Sequence, residues 1–185
     1  MNVMRLNADQ LAEQAGELAD LLADAVDGGA SVGFLAPLDR TQAAAWWRER
    51  SAAVADGRLV VWVAYEEPGR VLGTVGLALP DRPNSRHRAE LVKLMVHRTA
   101  RGRGLGRRLL TAAEEEAAAR GVTLLHLDTE TDSPAEHLYR SAGWTPVGTI
   151  PDYAADPGGV LRPTTLYYKR PGAGTAPASP GDCQW

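Results

Sequence analysis

Apolar positions along the chain change period several times, and each change marks an element. Residues 1–6 alternate weakly and predict a first strand. Asn7 with Gln10 has the form of a capping box, and Leu11, Ala15, Leu18, Leu22 and Ala25 then share one helical face that Gly28-Gly29 ends. Asp39 with Gln42 repeats the cap signal ahead of Ala43, Trp46, Trp47, Arg50 and Val54, a second helix closed at Gly57. Neighbouring tryptophans cannot share one helical face, so one of Trp46 and Trp47 is expected in the core and the other open to a pocket or to solvent. The runs 58–65 and 70–79, rich in β-branched residues and separated by Pro68-Gly69, predict a hairpin. A polar loop, 80–87, leads into a central strand with Ala89, Leu91, Val92, Leu94 and Val96. A helix from Arg107 to Arg120 turns Leu109, Leu110, Ala113 and Ala117 inward, with Gly121 as its cap. The apolar run 122–128 reads as a strand buried on both faces, reached by a right-handed parallel crossover. Pro134 opens and Gly143 closes another helix, and strands at 144–150 and 164–169 flank a proline- and glycine-rich loop at 151–163. The order predicts a mixed α/β architecture of about seven strands and about four helices.

Length and charge narrow the function. A chain of 185 residues suits one domain, here 1–170, with the polar, proline- and glycine-rich 171–185 as a disordered tail. A net charge of -3 argues against general nucleic-acid binding, and R-G-R-G-L-G-R-R lacks the interleaved aromatics of an RNA-binding segment. Arg98, Arg101, Arg103, Arg107 and Arg108 form instead a local basic cluster suited to one small polyanion. No apolar run approaches the roughly 20 residues that cross a bilayer, and no signal peptide is visible, so a cytoplasmic location is expected. Cys183 is the sole cysteine, and His87, His97, His126 and His137 lack ligand spacing, so no disulfide and no metal are expected.

The candidate chemistry centres on residues 88–110, where an apolar strand gives way to a basic glycine turn and then to a leucine-bearing helix. Gly102, Gly104 and Gly106 let the backbone approach a ligand closely, and the amides at the helix start, Leu105 to Arg108, point into the turn. Such a turn binds phosphate, or is simply a tight connection. Neither G-x-x-x-x-G-K-[ST] nor G-x-G-x-x-G is present, which weakens nucleotide-triphosphate and dinucleotide readings.

The spacing Arg101-x-x-Gly104-x-Gly106 after a strand resembles the GNAT superfamily of N-acetyltransferases, in which this turn holds the pyrophosphate of coenzyme A. A second stretch matches the same family: Ala135, Leu138, Tyr139, Gly143 and Trp144 fit its Asn-x-x-Ala-x-x-Leu-Tyr-x-x-x-Gly-Phe/Trp pattern, with Asp132 where Asn is usual. The resemblance covers residues 58–170 well and the first 57 loosely. It implies a mixed, mostly antiparallel twisted sheet flanked by helices, with acetyl-CoA as donor. The implied cofactor contacts are Leu94, Met95 and Val96 on a bulged strand, the turn Arg101, Gly102, Arg103, Gly104, Leu105, Gly106 and Arg107, and Asp132, Ala135 and Tyr139. The runs around 87–98, 127–140 and 163–170 are similar to the tabtoxin-resistance type, which acetylates the amine of an amino-acid-like toxin. The acceptor is then a small-molecule amine, bordered by Phe34 of the 30–38 loop, by Trp46, and by Asp128 and Glu130. A protein or peptide acceptor, or a non-catalytic acyl-CoA sensor, stays open, as does a monomer or a homodimer.

Acetyl transfer requires a neutral amine, and an alkyl ammonium at pH 7.4 lies about 4 kcal/mol from that state. Asp128, after an apolar strand, and Glu90, on the strand before the turn, are the candidate bases; Asp128 ranks first because α/β sites open at strand ends. By the resemblance, Tyr139 gives the departing thiolate its proton. With Cys183 alone near the chain end, direct attack in a ternary complex is favoured over an acetyl-cysteine.

Overall fold

Seven strands form one sheet in the order β1-β2-β3-β4-β5-β7-β6. They are β1 (Asn2–Leu6), β2 (Leu59–Glu66), β3 (Arg70–Ala78), β4 (Arg88–Val96), β5 (Leu124–Glu130), β6 (Thr145–Ala155) and β7 (Leu161–Lys169). The computed structural model describes residues 2–66 and 69–172. The expected tail and Cys183 therefore lie outside the described residues, apart from 171 and 172, which form a turn; so does Pro68 of the hairpin turn. Neighbouring strands run antiparallel except β4 and β5, which are parallel as the crossover requires.

Helices cover both faces. On one lie α1 (Ala8–Glu13), α2 (Ala15–Asp27), α3 (Arg40–Glu49) and α4 (Ser51–Ala55); on the other lie α5 (Leu105–Ala119) and α6 (Pro134–Ser141). The capping box forms as read: Asn7 Oδ1 accepts from the Gln10 amide at 2.8 Å, and Gln10 Oε1 accepts from the Asn7 amide at 2.9 Å. A cap of this kind contributes about 1 kcal/mol. The single helix expected after it is two, broken at Gln14, with Leu11 buried before the break and Ala15, Leu18 and Leu22 after it. Arg50 likewise separates α3 from α4. These side chains meet Val61, Val63, Val71 and Met95 from the sheet, while Leu105, Leu109, Leu110 and Ala113 of α5 meet Val60, Leu77 and Leu91 from its other face. Each fully buried leucine contributes roughly 1.5–3 kcal/mol.

Two expectations are corrected. The strand expected at 122–128 runs from Leu124 to Glu130 and is not buried on both faces: Leu125 and Leu127 are buried, whereas Leu124 and His126 are half-buried and Asp128 is exposed. The alternation reflects helix α5 on one side and an open cleft on the other. The loop expected over 151–163 is mostly sheet, because β6 continues to Ala155 and β7 begins at Leu161. Pro151 is tolerated because β6 is the edge strand and carries a bulge between Ile150 and Ala154, and Pro163 of β7 stands opposite that bulge. Asp156 Oδ1 closes the short turn by accepting from the amides of Gly158 and Val160.

The irregularity that shapes the site is in β4. Thr74 pairs with Met95 and Gly76 with Val92, so Lys93 and Leu94 together stand opposite Val75. Lys93 takes φ 52°, a left-handed conformation that costs a non-glycine residue roughly 1–2 kcal/mol. On its other side β4 pairs with β5 only through Arg88, Ala89 and Glu90, opposite Leu124, Leu125 and His126. Beyond these pairs the strands are not joined, and a wedge opens in the middle of the sheet.

Candidate active site

The glycine turn stands at the wide end of that wedge. Gly102 and Gly104 both have φ 75°, and Gly104 is the N-cap of α5 without a side-chain cap, so the first amides of the helix are left for another acceptor. A Cβ built on Gly102 or Gly104 meets nothing within 4 Å: the space above the turn is open. At Gly106 it would meet Leu138 Cδ2 at 3.0 Å, so this glycine lets α5 and α6 approach. Uncapped amides, a helix dipole and nearby arginines suit a diphosphate, and the residues present fit the coenzyme A that the spacing implies. Arg101 donates from Nε to the Val96 carbonyl at 3.0 Å, which ties the turn to the end of β4, and Arg107 donates from Nη2 to Ser141 Oγ at 2.8 Å, which ties it to α6. Arg103 is exposed.

Arg98 does not belong to this cluster. Its amide donates to Asp24 Oδ2 at 3.0 Å and its Nε to Asp24 Oδ1, holding the entry of the turn against α2, and His97 Nε2 lies 3.3 Å from the same carboxylate. Burial raises the Asp24 pKa, but the bonds from Arg98 and the charges of His97 and Arg98 outweigh it and hold the carboxyl below its ordinary range. A depressed folded pKa gives stability that is complete above about pH 3.9 and is lost as pH falls through the folded value. Asp24→Asn should accordingly lower stability at pH 7, and denaturant titrations repeated at pH 3 should find a smaller difference between the two proteins.

Across the wedge from the turn, on the face away from α5, lie the titratable groups. Glu90 and His126 are register partners, and Asp128 and Glu130 follow His126 on the same face of β5. The sequence reading missed His126, although L-L-H-L-D places it on the face of Asp128 by simple alternation. Burial, reinforced by Arg88, lowers the His126 pKa against the pull of Glu90 and Asp128, so its imidazole is neutral at pH 7. Lys93 was also missed. The bulge turns it to this face, where Nζ donates to the Val32 carbonyl at 2.8 Å. Burial first, and Arg50 second, depress its pKa, opposed by Asp128 and Glu90.

Tyr139 reaches the wedge from α6. It is buried, with its ring 5.8 Å from that of Trp144. Burial, then the charge of Asp128, pushes its phenol well up, so it carries a proton through the neutral range. Among the described residues nothing hydrogen-bonds its hydroxyl. Asp132 has φ 62°, a conformation that asparagine and aspartate tolerate best, which explains the residue type at this position; its amide donates to buried Glu136 at 2.7 Å. Ala135 packs beside Leu138 against the α5 core.

On the face away from α5 the sheet is covered by α3 and the 30–38 loop. Trp47 is buried, whereas Trp46 is half-buried and edge-on to Phe34 at 5.4 Å. A cavity of about 250 Å³ lies beneath, lined by Trp46, Trp47, Arg50, Gly76, Val92 and Lys93 among others. The loop is held from outside, since the Ala36 amide donates to the Pro157 carbonyl in the β6–β7 turn at 2.9 Å. Among the described residues no three His, Cys, Asp or Glu side chains could hold a metal ion, and no helix is long and apolar enough to cross a membrane.

The chain belongs to the acetyltransferase (GNAT) family, whose profile matches residues 21–144; members of that family take their acetyl group from acetyl-CoA. It is 35% identical over 114 residues, 60% of its length, to an uncharacterized N-acetyltransferase encoded in the hisH-hisA intergenic region of Azospirillum brasilense, of which it spans 66%, just under two thirds. Among solved structures, the ribosomal-protein-alanine N-acetyltransferase of Brucella melitensis superposes with a TM-score of 0.72 at 27% identity, covering 92% of this chain and 99% of its own. The yncA protein of Salmonella typhimurium, solved with its cofactor acetyl-CoA, superposes with a TM-score of 0.72 at 23% identity over 97% and 99% of the two chains, a likeness of fold.

Proposed function

We propose that the chain transfers acetyl from acetyl-CoA to the primary amine of a small molecule by direct attack in a ternary complex, in the cytoplasm. The observation that carries this is the two-sided wedge: amides and glycines on one side, Glu90, His126 and Asp128 on the other, Tyr139 between. Acetyl-CoA, when bound, would supply the acetyl group as an activated thioester. The turn Arg101–Arg107, with Asp132 and Ala135 beside it, binds its polar portion, and the amides of Leu94, Met95 and Val96 orient the thioester oxygen. Asp128 takes the proton of the acceptor ammonium, with Glu90 as the competing base; nitrogen then bonds to the acetyl carbon as the carbon–sulfur bond breaks. Tyr139 donates its proton to the leaving sulfur, and the proton that the nitrogen sheds on becoming an amide returns through solvent to the phenolate. Phe34, Trp46 and Glu130 border the acceptor.

A cavity of about 250 Å³ lies below the roughly 300–1,000 Å³ usual for drug-sized ligands, which supports a small acceptor. The similarity of the runs around 87–98, 127–140 and 163–170 to the tabtoxin-resistance type supports an amino-acid-like antibiotic or toxin, acetylated for resistance. A second reading, acetylation of a protein N-terminus, is favoured by the likeness to the Brucella enzyme. Acetyl-CoA-dependent thiol release measured against amino-acid-like antibiotics, aminoglycosides and peptides decides between them; acetyl-CoA binding with no turnover on any amine would mark a sensor.

The donor side makes its own prediction. Gly104→Val places a β-branched residue at positive φ and projects it into the open space above the turn. Calorimetry on the folded variant should find the acetyl-CoA Kd raised at least about tenfold, some 1.4 kcal/mol. Unchanged affinity would move the diphosphate elsewhere.

A further inference from the structure

We propose that Lys93 and Arg50 form an anion subsite in the acceptor cavity, so that the amine this protein acetylates also bears a carboxylate. The inference rests on the transferase reading and narrows its substrate class. Its starting point is a strained residue. Val92 already faces the cavity and touches Gly76, so in a regular strand Lys93 would point to the α5 core. The bulge and the left-handed φ turn it back, and strain of this sort persists where the surrounding structure enforces it, often at ligand sites.

Its surroundings fit an anion. Nζ lies 5.4 Å from the centroid of the Trp46 ring and 5.8 Å from that of Phe34. Arg50 Cζ lies 3.2 Å from the Trp46 centroid, and Arg50 Nη1 donates to the Trp46 carbonyl. Both cations thus lie near one indole in one cavity. An ammonium has three N–H donors; the Val32 carbonyl takes one of those on Lys93. Among the described residues neither cation has a carboxylate within 4.0 Å, although the other lysine, Lys169, pairs with Glu114 at 2.7 Å. Burial opposes both charges; Arg50 further depresses the Lys93 pKa, while Glu49 offsets part of the cost at Arg50. A carboxylate entering between them removes that penalty and occupies the remaining donors.

Polarity sets the orientation. Asp128 and Glu90 act on Lys93 from a distance, on the same face of the sheet and toward the wedge. An acceptor with its ammonium toward these carboxylates and its own carboxylate toward Lys93 and Arg50 satisfies both ends, and its amine faces the acetyl position. A neutral amine or a polycationic one leaves the two cations unpaired.

The chain has two lysines, so the subsite can be observed without any turnover. Protein labelled with 13Cε,15Nζ-lysine is titrated with propionate and with propionamide at constant ionic strength, in the absence of acetyl-CoA. Lys93 should shift saturably with propionate and not with propionamide, while Lys169 stays still; Lys93→Gln, which keeps a donor for the Val32 carbonyl, assigns the signal. Thiol release is then compared for leucine, phenylalanine and glutamate against their carboxamides. Wild type should prefer the acids by about tenfold or more in kcat/KM, and Lys93→Gln should erase the preference chiefly through KM, as should Arg50→Gln. A Lys93 signal that ignores propionate, or carboxamides used as well as acids, overturns the subsite and leaves the transferase reading standing. A propionate-specific shift with no turnover of any amine keeps the subsite and removes the transferase reading.

Discussion

Tyr139→Phe should lower kcat by about 10²-fold or more while leaving the melting temperature and the acetyl-CoA Kd close to wild type. The expectation follows from what the hydroxyl does and does not touch. The ring fills the α5–α6 core beside Trp144, and phenylalanine fills it equally well, whereas among the described residues nothing hydrogen-bonds the hydroxyl, so its removal orphans no partner. Burial and the neighbouring Asp128 charge keep the phenol protonated, the state a leaving thiolate needs. A phenylalanine variant with wild-type kcat would make Tyr139 a packing residue. Loss of acetyl-CoA affinity in the same variant would place its role in binding.

The second large effect concerns the base. Asp128→Asn should reduce kcat/KM at pH 7.4 by about 10²-fold or more, and the deficit should shrink toward pH 10, where the amine sheds its proton unaided. Wild-type kcat/KM should rise with pH through an apparent pKa that this variant abolishes. Glu90→Gln is the necessary companion, because Glu90 and Asp128 flank His126 on one face and both carboxylates favour its charged form. If Glu90→Gln shows the pH-recoverable loss and Asp128→Asn is silent, the roles exchange. Loss in both assigns the proton to a coupled set whose apparent pKa belongs to no single residue.

The parts of this site that were legible in the sequence are those written in local code. The turn at 101–106 announces itself by glycine spacing, because each conformation there is a property of one residue. Tyr139 and Asp132 stand at fixed offsets along one helix and its cap. Alternation would have found His126 beside Asp128 had the strand been read as open on one face; the apolar leucines around it suggested burial on both. Lys93 was not readable at all. Its direction depends on an extra residue in β4 relative to β3, a fact about two strands together, and K-L-M-V carries no local mark of it. The long β6 was missed for the opposite reason: Pro151 and Pro163 do signal irregularity, but Pro151 lies in a bulge of the edge strand and Pro163 of β7 stands opposite that bulge, so the ladder continues past both, while Gly158 and Gly159 fall in the short turn.

The bond between Ala36 and Pro157 sets how readily selectivity can drift. In the proposed function donor recognition rests largely on main-chain amides, which substitution barely alters, while the proposed acceptor cavity is walled by side chains and by a loop moored to a hairpin more than 100 residues later. Lengthening or shortening that hairpin tugs on the mooring and reshapes the cavity mouth without touching the glycine turn. New acceptors are therefore reachable through insertions and deletions at a remote sheet edge, with the donor half of the reaction carried along intact.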